Sequence, residues 1–185
     1  MQAMILAAGF GTRMAPLSDT TPKATLPLMG RPLIAHTLEW LARHGVKRTI
    51  INLHHLPETV REVALAHAPD DIDLRFVREP DIRGTGGGLV GGRSEFEPGP
   101  IIVVNGDIYT DMDLSALVAA HAEHDALATL ALNAHPDQFE LFSVGLAGDA
   151  PDGGPITDFW GEPSGGDPKR RLAFTGVHIM GSELV

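Results

Sequence analysis

Gly9 and Gly11, followed by Arg13 and then Lys23, stand close together near the start of the chain. Glycine-rich backbone presents bare amides that can approach phosphate oxygens. Arginine adds a planar, forked cation and lysine a mobile point charge. The full string is Leu6-Ala7-Ala8-Gly9-Phe10-Gly11-Thr12-Arg13-Met14, continued by Pro16-Leu17 and Thr21-Pro22-Lys23. A bare Gly-x-Gly would suit a tight turn with solvated cations. An apolar strand, a loop and two cations in one block favour a phosphate site. Two other phosphate motifs are excluded: Met14 stands where the dinucleotide fingerprint needs a third glycine, and the Walker Gly-Lys-Ser/Thr is absent.

Two further motifs follow apolar runs. Gly84-Thr85-Gly86-Gly87-Gly88-Leu89, by its glycine content alone, suits a flexible connection. Asn105-Gly106-Asp107 follows an apolar run, and Asp107 is a hard oxygen ligand of the kind Mg²⁺ takes in ones and twos, with a turn or helix cap as the alternative. His54 and His55 are neighbours on an expected strand, so they face opposite ways and suit one metal ion poorly. His178 alternates with apolar residues and reads as a sheet position.

The elements that position these residues follow from hydrophobic periodicity. Ala3 to Ala7, Thr49 to Leu53, Leu74 to Val77 and Ile101 to Val104 are short apolar runs that predict buried strands. Between them, Pro32 to His44 and Pro57 to about Ala66 have helical spacing, the first with Pro32 at its start and Gly45 at its stop. A third helix follows Asp113, whose side chain can cap it. Alternating strands and helices predict an α/β fold, doubly wound around a mostly parallel sheet. Such folds bind ligands at the carboxyl ends of their strands, where all three motifs fall. After Asp125 the pattern turns to strands alone, at Leu127 to Leu132, Phe142 to Leu146 and Ala173 to Met180, with an exposed loop from Gly148 to Pro168 broken by Ile156 to Trp160. One domain over 1–185 is expected.

The net charge of −10 over 185 residues leaves no basic footprint for nucleic acid or an anionic membrane, so an anionic ligand must be held locally. No apolar run approaches the roughly 20 residues that cross a bilayer. The start lacks a basic leader and there is no cysteine, so nothing demands an oxidising compartment and the cytoplasm is expected. Oligomeric state is left open.

Leu6 to Lys23 resembles the signature of the sugar-1-phosphate nucleotidyltransferase family, and the resemblance runs from Met1 to about Met180. It implies a Rossmann-like nucleotidyltransferase fold and an Mg²⁺-dependent reaction that joins a nucleoside triphosphate to a sugar 1-phosphate and releases pyrophosphate. It also implies that Ala8, Gly9, Gly11, Thr12, Arg13 and Lys23 hold the nucleotide phosphates, with Arg13 and Lys23 catalytic. Gly86 and Gly87 would pack on the base and ribose, Asn105 and Gly176 would face the sugar, and Asp107 would hold the metal. The Thr85-Gly86-Gly87-Gly88 form is similar to the N-acetylmuramate-1-phosphate uridylyltransferase branch, which points to UTP with N-acetylmuramate 1-phosphate.

Three departures qualify the resemblance. Ala24 replaces the proline that commonly follows the Pro-Lys pair. The family's Glu-Lys-Pro lysine is missing from Phe159-Trp160-Gly161-Glu162-Pro163, with Lys169, Arg170 and Arg171 as possible substitutes. The second metal carboxylate of the family lies beyond Val185, so either the chain is a fragment or the metal site is incomplete, with Asp111 the first internal carboxylate to test. The rival readings are a GTP-dependent mannose-1-phosphate enzyme or another acceptor, a non-catalytic nucleotide-sugar-binding module and, more remotely, a Rossmann dehydrogenase.

Overall fold

The computed structural model describes residues 1–124, 126–134, 143–150, 153–159, 162–163 and 166–184. Phe142, Trp160, Gly161 and Val185, on which sequence expectations fall, lie outside the described residues. Two compact units are present: Met1–Thr129 with His178–Val185, and Leu130–Val177.

In the first unit the apolar runs form strands Gln2–Leu6, Arg48–Leu53, Asp73–Arg78 and Ile101–Asn105. They lie parallel, with Ile101–Asn105 beside Gln2–Leu6, then Arg48–Leu53, then Asp73–Arg78. Successive side chains point to opposite faces. On one face Met4, Ile50, Ile101 and Val103 pack with Leu89 of the helix Gly84–Gly92, joined at the margin by Leu6, Val77, Phe96 and Met180. On the other face Phe76 lies under the guanidinium of Arg61, on the helix Pro57–His67, which packs against the helix Leu33–Arg43. Helices therefore cover both faces, as a doubly wound sheet requires.

The helix Leu33–Arg43 buries Ile34, Leu38 and Leu41, and its Trp40 Nε1 donates to Met112 O at 2.9 Å. It stops where Gly45 takes φ 78°, with Gly45 N bonded to Ala42 O and Val46 N to Leu41 O. That pair of bonds is the glycine-terminated Schellman stop. The helix Leu114–His124 follows the expected cap, since Asp113 Oδ1 accepts from Ser115 N at 2.9 Å. The helix Gly84–Gly92 was not legible, because its glycines carry neither propensity nor periodicity. Burial of Gly88, Leu89 and Gly92 on the sheet makes it helical instead. Among the described residues no helix is long and apolar enough to cross a membrane.

The second unit contains antiparallel pairings. Ser143–Leu146 pairs with residues 170–173 of the strand Arg170–Met180 and with Ile156–Phe159, which pairs in turn with Glu162–Pro163. Val144, Leu146 and Leu172 form its core, with Leu130, Leu132, Ile156, Phe159 and Phe174 around them. Arg171 grips the buried Asp158 through two bonds of 3.0 and 2.9 Å, which holds the Arg171 guanidinium above its ordinary pKa.

Candidate active site

The first strand has the last-formed parallel strand on one side and the second on the other, so its outgoing chain and that of Ile101–Asn105 separate. Such a switch point opens a crevice at the carboxyl ends of the strands. Register aligns the three ends: Leu6 pairs with Asn52 on one flank and with Asn105 on the other. A cleft of about 340 Å³ opens there. Ala8, Gly9, Gly11, Thr12, Arg13, Lys23, Asn105 and Asp107 all line it, so residues distant in sequence meet as expected.

Gly11 has φ 65°, and a Cβ there would lie 3.2 Å from the Ser18 Cβ and 3.4 Å from the Lys23 Cβ. The loop then tightens into a turn in which Met14 N bonds Gly11 O, leaving Arg13 exposed to solvent. Opposite, Gly106 N donates to Leu6 O at 2.9 Å, and a Cβ on Gly106 would fall 2.7 Å from that oxygen. Only glycine lets the backbone approach the first strand so closely, and this contact sets Asp107 at the cleft. The Lys23 ammonium forms an ion pair with Asp107 Oδ2, and both side chains are about one-third exposed, at 32% and 34%.

Sequence reasoning missed Asn52 and Glu79, which also line the cleft. Asn52 Oδ1 accepts from Ala7 N at 2.7 Å, and Asn52 Nδ2 donates to Glu79 Oε1 at 2.6 Å. The available signal was an asparagine inside the apolar run Thr49 to Leu53. Of the second glycine motif, Gly84 and Thr85 line the cleft, whereas Gly86 and Gly87 are not among its lining residues. Gly86 has nothing within 4 Å of a Cβ position, while Gly88 has no room for one.

His54 and His55 lie just past the strand end at Leu53 rather than on it, and both rings contact the exposed ring of Phe10. His54 Nδ1 bonds Glu79 O and His55 Nε2 bonds Ser18 O. Among the described residues no three His, Cys, Asp or Glu side chains gather as a metal group. Asp111 is exposed and Asp113 caps its helix.

In the second unit Gly176 has φ 85° within the strand Arg170–Met180, Arg170 bonds Ala150 O, and Arg171 is committed to Asp158. A second hollow, of about 520 Å³, opens at the opposite edge of the parallel strands. Its Arg48 already pairs with Asp73 and Glu97.

The family model described as nucleotidyl transferase matches residues 2–177. The UTP–glucose-1-phosphate uridylyltransferase of Synechocystis is 30% identical over all of this chain and 50% of its own. The N-acetylmuramate alpha-1-phosphate uridylyltransferase of Neisseria meningitidis is 38% identical over 63% of this chain and 51% of its own. The chain thus spans about half the length of these curated relatives. Among solved structures, UDP-glucose pyrophosphorylase from Acinetobacter baumanii superposes with a TM-score of 0.82 at 19% identity, covering 98% of this chain and 74% of that one, a likeness of fold.

Proposed function

The chain belongs to the nucleotidyl transferase family, and from that premise we propose that it transfers a nucleoside monophosphate from a nucleoside triphosphate to a sugar 1-phosphate. A phosphate oxygen of the sugar 1-phosphate attacks the α-phosphorus, the bond from that phosphorus to the β-phosphate bridge breaks, and pyrophosphate leaves. The attacking oxygen is already anionic, so no general base is needed and positioning and charge neutralisation carry the rate.

The observation that carries this reading is the convergence of the glycine turn, Lys23 and Asp107 at one cleft. The amides of Gly9 to Thr12 and the Arg13 fork face the departing phosphates. Lys23, a mobile cation, neutralises charge between the reacting groups. The Asp107 oxygen fits Mg²⁺, a hard cation that takes one or two carboxylates, and its backbone is fixed through Gly106. When bound, Mg²⁺ would supply further charge neutralisation at the phosphate oxygens. With phosphate bound, the Lys23 ammonium would turn from Asp107 Oδ2 toward the phosphate oxygens.

The nucleotide is UTP and the acceptor N-acetylmuramate 1-phosphate in this proposal. It rests on the Thr85-Gly86-Gly87-Gly88 form and is supported by the likeness to the Neisseria enzyme. The cytoplasm, where nucleoside triphosphates are at hand, is the proposed location. Pyrophosphate release measured with each of the four nucleoside triphosphates against a panel of sugar 1-phosphates tests the reading. Release with UTP and the muramate ester alone supports it, and preference for GTP with mannose 1-phosphate replaces the substrates but keeps the class. Nucleotide binding without release under any pairing rejects the enzyme in favour of a binding module.

A further inference from the structure

Two buried polar side chains at the cleft, Asn52 and Glu79, are 3% and 6% exposed. Burying an amide against a carboxylate costs desolvation that an apolar pair of similar size avoids. Their bonding has a single direction. Ala7 N–H can only donate, so Asn52 must turn Oδ1 toward it, and this turns Nδ2 toward the accepting Glu79 Oε1. Reversing the amide would set donor against donor at Ala7 and acceptor against acceptor at Glu79.

The backbone of Glu79 is fixed, since its N donates to Leu53 O at 2.8 Å and its O accepts from His54 Nδ1 at 2.8 Å. The helix Gly84–Gly92 closes over the pair: a Cβ on Gly88 would lie 2.7 Å from Asn52 Nδ2 and 2.9 Å from Glu79 Oε1. Ala7 is the first residue beyond the strand Gln2–Leu6, where the chain sets out toward Gly9 and Gly11.

We propose that Asn52 and Glu79 are positioning residues: Glu79 orients the Asn52 amide, which holds Ala7 N–H and so sets the path of the phosphate-facing loop. This rests on the nucleotidyl-transfer reading for its effect on ligand, while its effect on the loop stands apart from it. Gly88 belongs to the same device, as the one glycine of its motif that a side chain would drive into the pair.

The test reverses the polarity of one bond. Asn52→Asp keeps the acceptor for Ala7 but sets a second carboxylate against Glu79. Adding Glu79→Gln supplies an amide that donates to the new carboxylate. Calorimetry with UTP and with GTP in Mg²⁺ is expected to show affinity about tenfold weaker in Asn52→Asp and restored to within about threefold in the double variant. Hydrogen exchange at the Ala7 amide, read without ligand, should quicken about tenfold in Asn52→Asp and recover in parallel. Glu79→Leu, which leaves the Asn52 amide unguided, supplies the same readouts if Asn52→Asp does not fold.

Wild-type affinity and wild-type Ala7 protection in Asn52→Asp would overturn the proposal, as would a double variant that regains melting temperature but neither Ala7 protection nor affinity. A wild-type chain that binds neither nucleotide rejects the nucleotidyl-transfer reading, and Ala7 exchange alone then decides the relay.

Discussion

Lys23 and Asp107 stand 84 positions apart in the chain and meet as an ion pair inside the cleft. The proposed phosphate-binding cation and the proposed metal-binding carboxylate thus neutralise one another in the free protein. A partly exposed pair of this kind contributes only about 0–1 kcal/mol to folding. Asp107→Ala is therefore expected to lose at least about a hundredfold in turnover while its unfolding free energy changes by less than about 1 kcal/mol. Near-normal turnover in Mg²⁺ would remove Asp107 from the metal site.

Lys23→Ala should lose far more in kcat than Lys169→Ala. Lys23 lines the cleft, whereas Lys169 is an exposed residue of the second unit. Charge in the transition state is concentrated at the reacting phosphates, so a cation there acts on the chemical step. Equal losses in steady-state kcat would show the reaction centre to be elsewhere.

Strand positions were legible because a run such as Ile101 to Val104 can be apolar without a break only when buried on both faces. That the glycine turn and Asp107 would meet at one cleft was legible because each follows an apolar run that becomes a strand of the parallel sheet. Asn52 and Glu79 were not, since their meaning lies in the pairing of Leu6 with Asn52 and in a contact 27 residues apart. The helix at Gly84–Gly92 was hidden for a related reason, as only the sheet beneath it makes nine residues rich in glycine helical.

Glycine substitutions should separate packing from binding. Gly106→Ala forces a Cβ to within 2.7 Å of Leu6 O, so it is expected to cost roughly 1–3 kcal/mol of stability. Gly86→Ala meets nothing within 4 Å, so its stability should hold while nucleotide affinity falls if the base lies against that backbone. Urea unfolding beside calorimetric titration reads both quantities. Unchanged affinity in Gly86→Ala would remove this glycine from the nucleotide site.

Burial of His178 lowers its pKa from 6.5 to about 4, so the folded state holds the ring neutral. Below pH 6.5 the unfolded chain takes up a proton that the folded chain refuses until about pH 4. Stability is therefore full above that window and drains as pH falls through it, by roughly 3 kcal/mol at the acid end. Urea midpoints between pH 7.5 and 5 should fall less steeply in His178→Leu than in the wild type. Parallel pH profiles for the two proteins would sink this assignment.

The first compact unit is interrupted in sequence: it runs to Thr129 and resumes only at His178, with Met180 packed against the cluster of Met4 and Leu89. During ribosomal synthesis at about 5–20 residues per second, the segments that line the cleft emerge well before the stretch that returns to their unit at His178. The cluster around Met4 and Leu89 therefore lacks Met180 while Leu130–Val177 is made. Nascent chains arrested before Met180 should offer chaperones a binding surface that disappears as soon as the returning strand clears the exit tunnel.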